Sequence, residues 1–202
     1  MTDEKPRVEV IEKRTVFQGY YRVDVYRLRH SLYQGGMGAE ISREVLDRGH
    51  AVLVVPYDPV RDEIVLTEQF RIGPFAHGEQ PWSLEVVAGI IEAGEEQEDV
   101  VRREAMEEAG IELSHITHAL DCYASPGAVT EQISIYCART DASLAGGVHG
   151  VEAEGEDIKV IVMPYSKVMA ALDNGRINAS LAIVAVQWLA LHRDEIRKSW
   201  LV

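Results

Sequence analysis

One helix with three glutamates on a single face constrains this chain most tightly. Over residues 97–109 apolar and small residues recur at helical spacing, and Gly110 follows where a helix commonly ends. Glu104, Glu107 and Glu108 stand at positions i, i+3 and i+4, which brings their side chains to one face. Like charges at these spacings repel, so the segment predicts either a solvated acidic surface or a site that binds a cation.

The segments around this helix predict a mixed sheet. His50–Pro56 is a continuous apolar run typical of a buried strand, and residues 64–67 return as its partner after a turn at 58–62. Upstream, Phe17–His30 and Ala39–Leu46 read as two antiparallel strands. Further strands are predicted at 118–123, 133–138 and 158–163, and further helices over 166–173 and 179–193. Strands and helices mix irregularly, which favours an α+β fold over strict βαβ alternation.

The N-terminal strands are too few to form a stable domain alone. We therefore expect residues 1–48 to be a β dimerisation unit that packs on a second subunit, and residues 49–202 to form the main domain. Two-fold dimers are the commonest oligomers, which favours a homodimer.

Composition excludes several function classes. The chain has 20 Lys plus Arg against 33 Asp plus Glu, a net charge of −13, which disfavours nucleic acid and anionic membranes as partners. Its longest apolar run, Leu181–Leu191, has 11 residues, whereas a membrane-spanning helix needs about 20. The two cysteines have no metal-ligand spacing and suit a reducing cytoplasm. The seven histidines show no paired ligand spacing, which disfavours zinc.

An acidic protein can still bind an anionic substrate where a divalent cation or clustered arginines reverse the local charge. Mg²⁺ takes oxygen ligands and commonly bridges to substrate phosphates, so clustered glutamates suit it. The cation would also relieve the repulsion among the three carboxylates.

The stretch from Gly89 to Ile111 resembles the signature of the Nudix hydrolases, G-x5-E-x7-R-E-U-x-E-E-x-G-U, where U is an apolar residue. The matching positions are Gly89, Glu95, Arg103, Glu104, Ala105, Glu107, Glu108, Gly110 and Ile111. The resemblance implies a Nudix α/β/α sandwich with a mixed sheet and Mg²⁺- or Mn²⁺-dependent cleavage of a nucleoside diphosphate linked to another moiety. Within the family the chain is similar to bacterial-type ADP-ribose pyrophosphatases, which implies hydrolysis of ADP-ribose to AMP and ribose 5-phosphate.

The resemblance also implies roles for individual residues. The metal ligands of the family match Glu104, Glu108, the backbone carbonyl of Ala88 and Glu156 from a later loop, with Glu107 assisting.

A general base and a structural ion pair are implied in the same way. Glu154 matches the loop carboxylate that takes a proton from water, and Gly155 beside it gives that loop backbone freedom. Glu95 and Arg103 are expected to pair with each other and fix the loop against the helix.

Substrate contacts rest on the same resemblance. Arg71 suits a phosphate because a guanidinium offers two parallel donors. Tyr20 and Tyr21 match an aromatic pair that stacks on adenine. The remaining implied contacts are Arg43, Glu44 and Arg48 near the adenine, Ile90 in the pocket, the backbone of Ser125, Pro126 and Gly127, and Glu131 on the ribose side. The stretch Ala128-Val129-Thr130 departs from the usual Gly-Thr-Ser of these proteins, so the details of this loop stay open.

Two alternative functions remain open from the sequence. One is a Nudix diphosphatase with another nucleotide sugar as substrate, such as GDP-mannose. The other is a ligand sensor on the same fold that has lost hydrolysis. Such a sensor would be expected to lack carboxylates of the signature, whereas Glu104, Glu107 and Glu108 are all present.

Overall fold

A computed structural model describes residues 7–201. Its internal contacts divide the chain into two compact units. The first unit contains the residues up to His50 together with Tyr123–Gln132, and the second contains Ala51–Cys122 and the residues from Ile133 onward. The predicted division into residues 1–48 and 49–202 differs from these units chiefly in the segment Tyr123–Gln132.

The first unit is built on a three-stranded antiparallel sheet in the order β1-β2-β3. Its strands are β1 (Val8–Gln18), β2 (Arg22–His30) and β3 (Ile41–Asp47). Leu46 connects the later segment to this sheet, since its N–H donates to the Ala128 carbonyl at 2.8 Å and its carbonyl accepts from the Thr130 N–H at 3.0 Å. These backbone bonds explain why Tyr123–Gln132 belongs to the first unit.

The sheet has one strand more than the sequence indicated. Phe17–His30 was expected to be a single strand, but the chain reverses at residues 19–21 and the expected strand is divided between β1 and β2. Every residue of β1 is exposed, so it lacks the contrast between buried and exposed positions that makes a strand recognisable.

The second unit contains an eight-stranded mixed sheet. The strands follow the order β10-β11-β5-β4-β9-β8, with β6 paired to β5 and β7 to β4. Their bounds are β4 Ala51–Asp58, β5 Glu63–Phe70, β6 Trp82–Glu85, β7 Val87–Ile90, β8 Ser114–Tyr123, β9 Gln132–Arg139, β10 Val148–His149 and β11 Ile158–Pro164. Strand β4 runs parallel to β9 and antiparallel to β5 and β7, so the predicted mixed sheet is confirmed.

The part of this unit that the structure describes contains four α-helices. They are α1 (Ile72–His77), α2 (Gln97–Ala109), α3 (Tyr165–Asp173) and α4 (Ser180–Trp200). Short 3₁₀ turns form at Ala142–Leu144 and Glu152–Glu154. Within residues 7–201 no helix is both long and apolar enough to cross a membrane.

Helices cover both faces of the central sheet. Strand β4 is buried along its whole length, as expected for a strand covered on two sides. Val52 and Val54 pack in one core with Val100, Val101 and Ala105 of α2. Helix α4 also contacts β4 and buries the apolar residues Ala182, Ala185, Val186 and Leu189. This arrangement is the predicted α/β/α sandwich. It places the glutamate face of α2 at the edge of the core that α2 forms with β4.

Boundaries of the other elements were predicted unevenly. Helix α2 has the predicted bounds. Helix α4 continues seven residues past the predicted end at Arg193, because the buried side chains of Ile196 and Trp200 extend its apolar face. Helix α1 and strands β6 and β7 were not predicted. They are only four to six residues long, too short to show a period.

Candidate active site

Strand β7 passes close to α2, and one glycine allows this approach. A Cβ atom built on Gly89 would lie 1.8 Å from Oε1 and 2.3 Å from Cγ of Glu104. Non-bonded heavy atoms need roughly 3.5 Å, so any side chain at position 89 would displace the Glu104 carboxylate. The first glycine of the motif therefore keeps open the space that this carboxylate fills.

Glu108 is held from two sides inside the unit. Its side chain is buried, with only 3% of the residue surface exposed. The Ala88 N–H donates to its Oε2 at 3.1 Å, and the Gln69 Nε2 donates to its Oε1 at 3.4 Å. These two donors fix the direction in which the carboxylate can offer its remaining lone pairs.

Arg103 connects the carboxylates of the motif. Its Nε and Nη2 donate to the two oxygens of Glu95, both at 3.2 Å, so the predicted pair is confirmed. Its Nη1 donates to Glu104 Oε1 at 2.7 Å and to Glu107 Oε2 at 3.1 Å. Arg103 therefore fixes the loop before α2 and also supplies positive charge to two glutamates of the helix.

Burial makes the ionised forms of two glutamates unfavourable. Chiefly through burial, the pKa of Glu108 rises to about 8, and the charges of Glu104 and Glu156 contribute to the rise. Burial also raises the pKa of Glu104 to about 7, against the opposing charge of Arg103. The cluster holds more negative charge than nearby arginines neutralise, which is the condition that a bound cation would relieve.

The residues expected to hold metal are only partly brought together. Within residues 7–201, no three His, Cys, Asp or Glu side chains are close enough to form a ready-made metal site. Glu104 and Glu107 instead form ion pairs with Arg103. The oxygen donors nevertheless suit a hard divalent cation, and the excess of buried negative charge fits one.

The loop after β10 carries the two later carboxylates. Glu152–Glu154 forms a 3₁₀ turn that ends at Gly155, whose φ of 72° is left-handed. Glu154 is exposed. The Val151 N–H donates to Glu156 Oε2 at 2.9 Å. The charge of Glu156 contributes to the raised pKa values of Glu104 and Glu108, so it lies within electrostatic range of α2.

Arg71 follows strand β5, on the same side as this cluster. Its Nε and Nη2 donate to the two oxygens of Glu85 at 3.0 and 2.8 Å. The charges of Glu108 and Glu156 also act on Arg71. The bidentate pair fixes the plane of the guanidinium, while the predicted contact with a substrate phosphate remains a prediction.

Four of the predicted substrate residues lie close together in the first unit. The rings of Tyr20 and Tyr21 are 4.9 Å apart, and the Arg48 guanidinium lies 5.6 Å from the centre of the Tyr21 ring. Arg48 also pairs with Glu131 at 3.3 Å. Glu131 is buried, and burial raises its pKa. Tyr20 is 83% exposed, so its ring is free to meet a planar ligand.

The other predicted contacts are at the surface. Arg43 and Glu44 are exposed on β3, and the backbone of Ser125 accepts two hydrogen bonds within its own turn. Ile90 ends β7 with its side chain partly exposed. Pro126 and Gly127 are exposed in the same turn as Ser125.

Two residues with clear roles in this geometry were missed in the sequence. Gln69 donates to Glu108, and Glu85 holds Arg71. Gln69 had a usable signal, because strand alternation places it on the same face as the core residue Val65. Glu85 lies in β6, which the sequence did not reveal.

A separate surface cavity of about 760 Å³ lies beyond the C-terminal end of α2. Its wall includes Met106, Gly110 and Arg139. It contains none of the residues predicted to bind metal or substrate, so the carboxylate cluster remains the candidate site.

Residues 47–182 match the NUDIX domain family, so the chain belongs to the Nudix family. It is 44% identical over 196 residues to the "ADP-ribose pyrophosphatase" of Escherichia coli (strain K12), covering 97% of this chain and 94% of that protein. It is 37% identical over 196 residues to the protein of the same name from Haemophilus influenzae, covering 96% and 90% of the two chains.

A more distant relative and a solved structure are also similar to this chain. The "GDP-mannose pyrophosphatase" of Pectobacterium atrosepticum is 32% identical over 181 residues, covering 89% of this chain and 92% of that protein. A crystal structure described as an "ADP compounds hydrolase" superposes with a TM-score of 0.73 over 98% of this chain and 99% of its own, at 20% identity. This match shows that the two proteins share a fold.

Proposed function

We propose that this protein hydrolyses the diphosphate of ADP-ribose to AMP and ribose 5-phosphate. The observation that carries the proposal is the carboxylate cluster of Glu104 and Glu108 beside Gly89, in a chain that is 44% identical over nearly its full length to an ADP-ribose pyrophosphatase. A diphosphate carries adjacent negative charges, and a site of this kind can receive them only together with a cation.

Glu104, Glu107, Glu108 and Glu156 together with the Ala88 carbonyl would hold Mg²⁺, with Mn²⁺ as the other candidate. Oxygen donors and a local excess of buried negative charge support this assignment. When bound, the divalent cation neutralises charge on the phosphoryl oxygens.

The side chains of the protein supply orientation and proton transfer. The exposed Glu154 is proposed as the general base that accepts a proton from the attacking water. Arg71, held flat by Glu85, would donate to a phosphate oxygen. Arg103 holds Glu104 in place through a 2.7 Å hydrogen bond.

We assign the nucleoside part of the substrate to the residues predicted from the sequence. Tyr20 and Tyr21 would stack on adenine, supported by the exposure of the Tyr20 ring. The further proposed contacts are Arg43, Glu44, Arg48, Ile90, Ser125, Pro126, Gly127 and Glu131.

We further propose a cytoplasmic homodimer with no nucleic-acid partner. The apolar side chains Val8, Val10 and Phe17 on β1 are each more than half exposed, and a second subunit would cover them. Both cysteines are free thiols, as in most cytoplasmic proteins. The net charge of −13 disfavours nucleic acid.

The test is a substrate panel with Mg²⁺ or Mn²⁺, with products identified by mass. ADP-ribose should give AMP and ribose 5-phosphate at the highest kcat/KM. GDP-mannose is the comparison substrate, because one relative bears that activity in its name. Preference for GDP-mannose would replace the substrate assignment, and tight binding of ADP-ribose without products would indicate a sensor.

A further inference from the structure

We infer that His149 is a positioning residue that docks the loop bearing Glu154 and Glu156 onto the C-terminal end of α2. The inference rests on the proposed function in so far as these two carboxylates take part in catalysis. The contacts that support it lie entirely within the second unit.

The first observation is a close approach between His149 and Gly110. A Cβ atom on Gly110 would lie 2.5 Å from Cε1 and 3.1 Å from Nδ1 of the imidazole. The ring therefore fits against bare backbone where α2 ends. Gly110 also has a left-handed φ of 64°, so glycine is needed here for two separate reasons.

The second observation is that the ring itself is held in one orientation. His149 Nε2 lies 2.7 Å from the Gly146 carbonyl oxygen. A carbonyl can only accept a hydrogen bond, so Nε2 carries the proton and donates it. The side chain consequently closes the turn 146–149 while Cε1, the ring atom next to Nε2, faces Gly110.

The third observation links this contact to the carboxylates. The Gly150 N–H donates to the Glu107 carbonyl at 3.0 Å, and the next N–H, that of Val151, donates to Glu156 Oε2 at 2.9 Å. Two consecutive backbone amides after His149 therefore join the loop to α2 and fix the Glu156 side chain. Any shift of His149 would move both donors.

The ring thus acts on catalysis through the loop, since its hydrogen bond goes to Gly146 and its close approach is to Gly110. On the other side, His149 pairs with Ile158 in the β10–β11 ladder, so the loop is anchored where it begins and where it ends. Removing the ring would leave the β10–β11 anchor and the backbone hydrogen bond from Gly150 to Glu107, but it would remove the contact that holds the start of the loop against Gly110.

The direct test is amide hydrogen exchange of the whole protein, followed over residues 150–156. In His149→Ala, exchange of this segment should accelerate at least tenfold while exchange in β4 stays unchanged. His118→Ala is the matched control, because its ring is also at the surface and also makes a hydrogen bond, to Asp121 at 3.0 Å. Unchanged exchange over 150–156 in His149→Ala would overturn the inference, and this readout requires no ADP-ribose turnover.

Kinetics then separate positioning from general structure. His149→Ala should lower kcat for ADP-ribose hydrolysis by roughly 10–100-fold, the range seen when supporting residues around a metal site are lost, with little change in KM. His149→Gln retains an N–H donor for the Gly146 carbonyl and should recover part of the loss. A change confined to KM, or no difference between the Ala and Gln variants, would contradict the role.

A double-mutant cycle tests the contact itself. Gly110→Ala places a methyl group against the ring and should speed exchange over 150–156 as His149→Ala does, whereas combining the two should add little. The cost of the left-handed φ at position 110 is common to both backgrounds and cancels. Fully additive effects on exchange would show that the two residues act independently and would refute the docking contact.

Discussion

Replacing Glu108 by Gln should make the metal-free protein more stable while it abolishes most hydrolysis. The side chain is buried, and its two oxygens accept from the Ala88 N–H and the Gln69 amide. A glutamine of the same shape can accept from Ala88 with its oxygen, and Gln69 can turn its own amide to accept from the new NH₂ group. The substitution therefore removes a charge without leaving an unpaired buried group.

The size of the effect follows from the pKa of Glu108, which burial raises from 4.5 to about 8. The folded protein holds this proton more tightly than the unfolded chain, so stability falls as pH rises above 4.5 and levels off above the folded pKa of about 8. Each pH unit in that window costs about 1.4 kcal/mol, or about 3 kcal/mol in total by pH 7. Glu108→Gln avoids this cost, which corresponds to a Tm higher by roughly 6–12 °C for a chain of this length.

The assay is thermal unfolding in chelator across this pH window, with the exposed Glu98→Gln on the same helix as control. The advantage of Glu108→Gln over wild type should grow from acid to alkaline pH. Added Mg²⁺ should stabilise wild type but not the variant, because only wild type retains the ligand. A pH-independent difference, or a variant less stable than wild type at pH 8, would refute the assigned burial of charge. Undiminished hydrolysis by a folded variant would exclude Glu108 as a ligand.

Four other predictions test separate parts of the site and the assembly of the protein. Gly89→Ala should reduce kcat/KM about 100-fold, because the new methyl group displaces the Glu104 carboxylate by more than 1 Å, and a retained far-ultraviolet spectrum with normal activity would contradict this. Glu154→Gln should lower kcat with little change in KM; a loss wholly in KM would indicate substrate positioning instead. Sedimentation should give roughly twice the 22.5 kDa chain mass, and an active monomer would exclude the dimer. Tyr21→Ala and Arg48→Ala should raise KM for ADP-ribose more than they lower kcat.

The parts of the fold that the sequence predicts best are those with a long period or a continuous burial pattern. Helix α2 shows regular spacing over 13 residues and ends at a glycine, and its bounds were predicted correctly. Strand β4 is buried at all eight positions and was recognised from its unbroken apolar run. In both elements local preference and tertiary burial point the same way.

Elements whose identity depends on partners were harder to predict. Strand β1 is exposed at every position, so its extended conformation comes from backbone pairing with β2, and its side-chain pattern carries little signal. Strands β6 and β7 each have only four residues and are defined by pairing with β5 and β4. The paired strands are separated along the chain and are brought together only by the fold, so local sequence patterns do not predict the pairing.

The site shows the same division between spacing along the chain and proximity in space. Helical spacing alone puts Glu104, Glu107 and Glu108 on one face, and the motif anticipates the pair between Glu95 and Arg103. Contacts between residues that are far apart in the sequence cannot be predicted from such spacing. Gln69 meets Glu108 across 39 positions of sequence. Strand alternation indicates the face on which Gln69 lies, but it does not identify Glu108 as its partner.

The charges around Arg103 explain how a cluster that suits a cation can exist before one binds. Arg103 donates to Glu95, Glu104 and Glu107, whereas within residues 7–201 the donors to the buried Glu108 are the neutral Gln69 and Ala88. Burial is therefore the chief reason why the pKa of this innermost carboxylate rises, and the charges of Glu104 and Glu156 add to the rise. Protonation relieves the negative charge of Glu108 at low pH and a divalent cation would relieve it at neutral pH, so protons and metal should compete for the same carboxylate. The apparent affinity for Mg²⁺ should then increase with pH up to the pKa of Glu108. Glu108→Gln should remove the upper part of that dependence and leave the part due to Glu104, whose pKa is about 7.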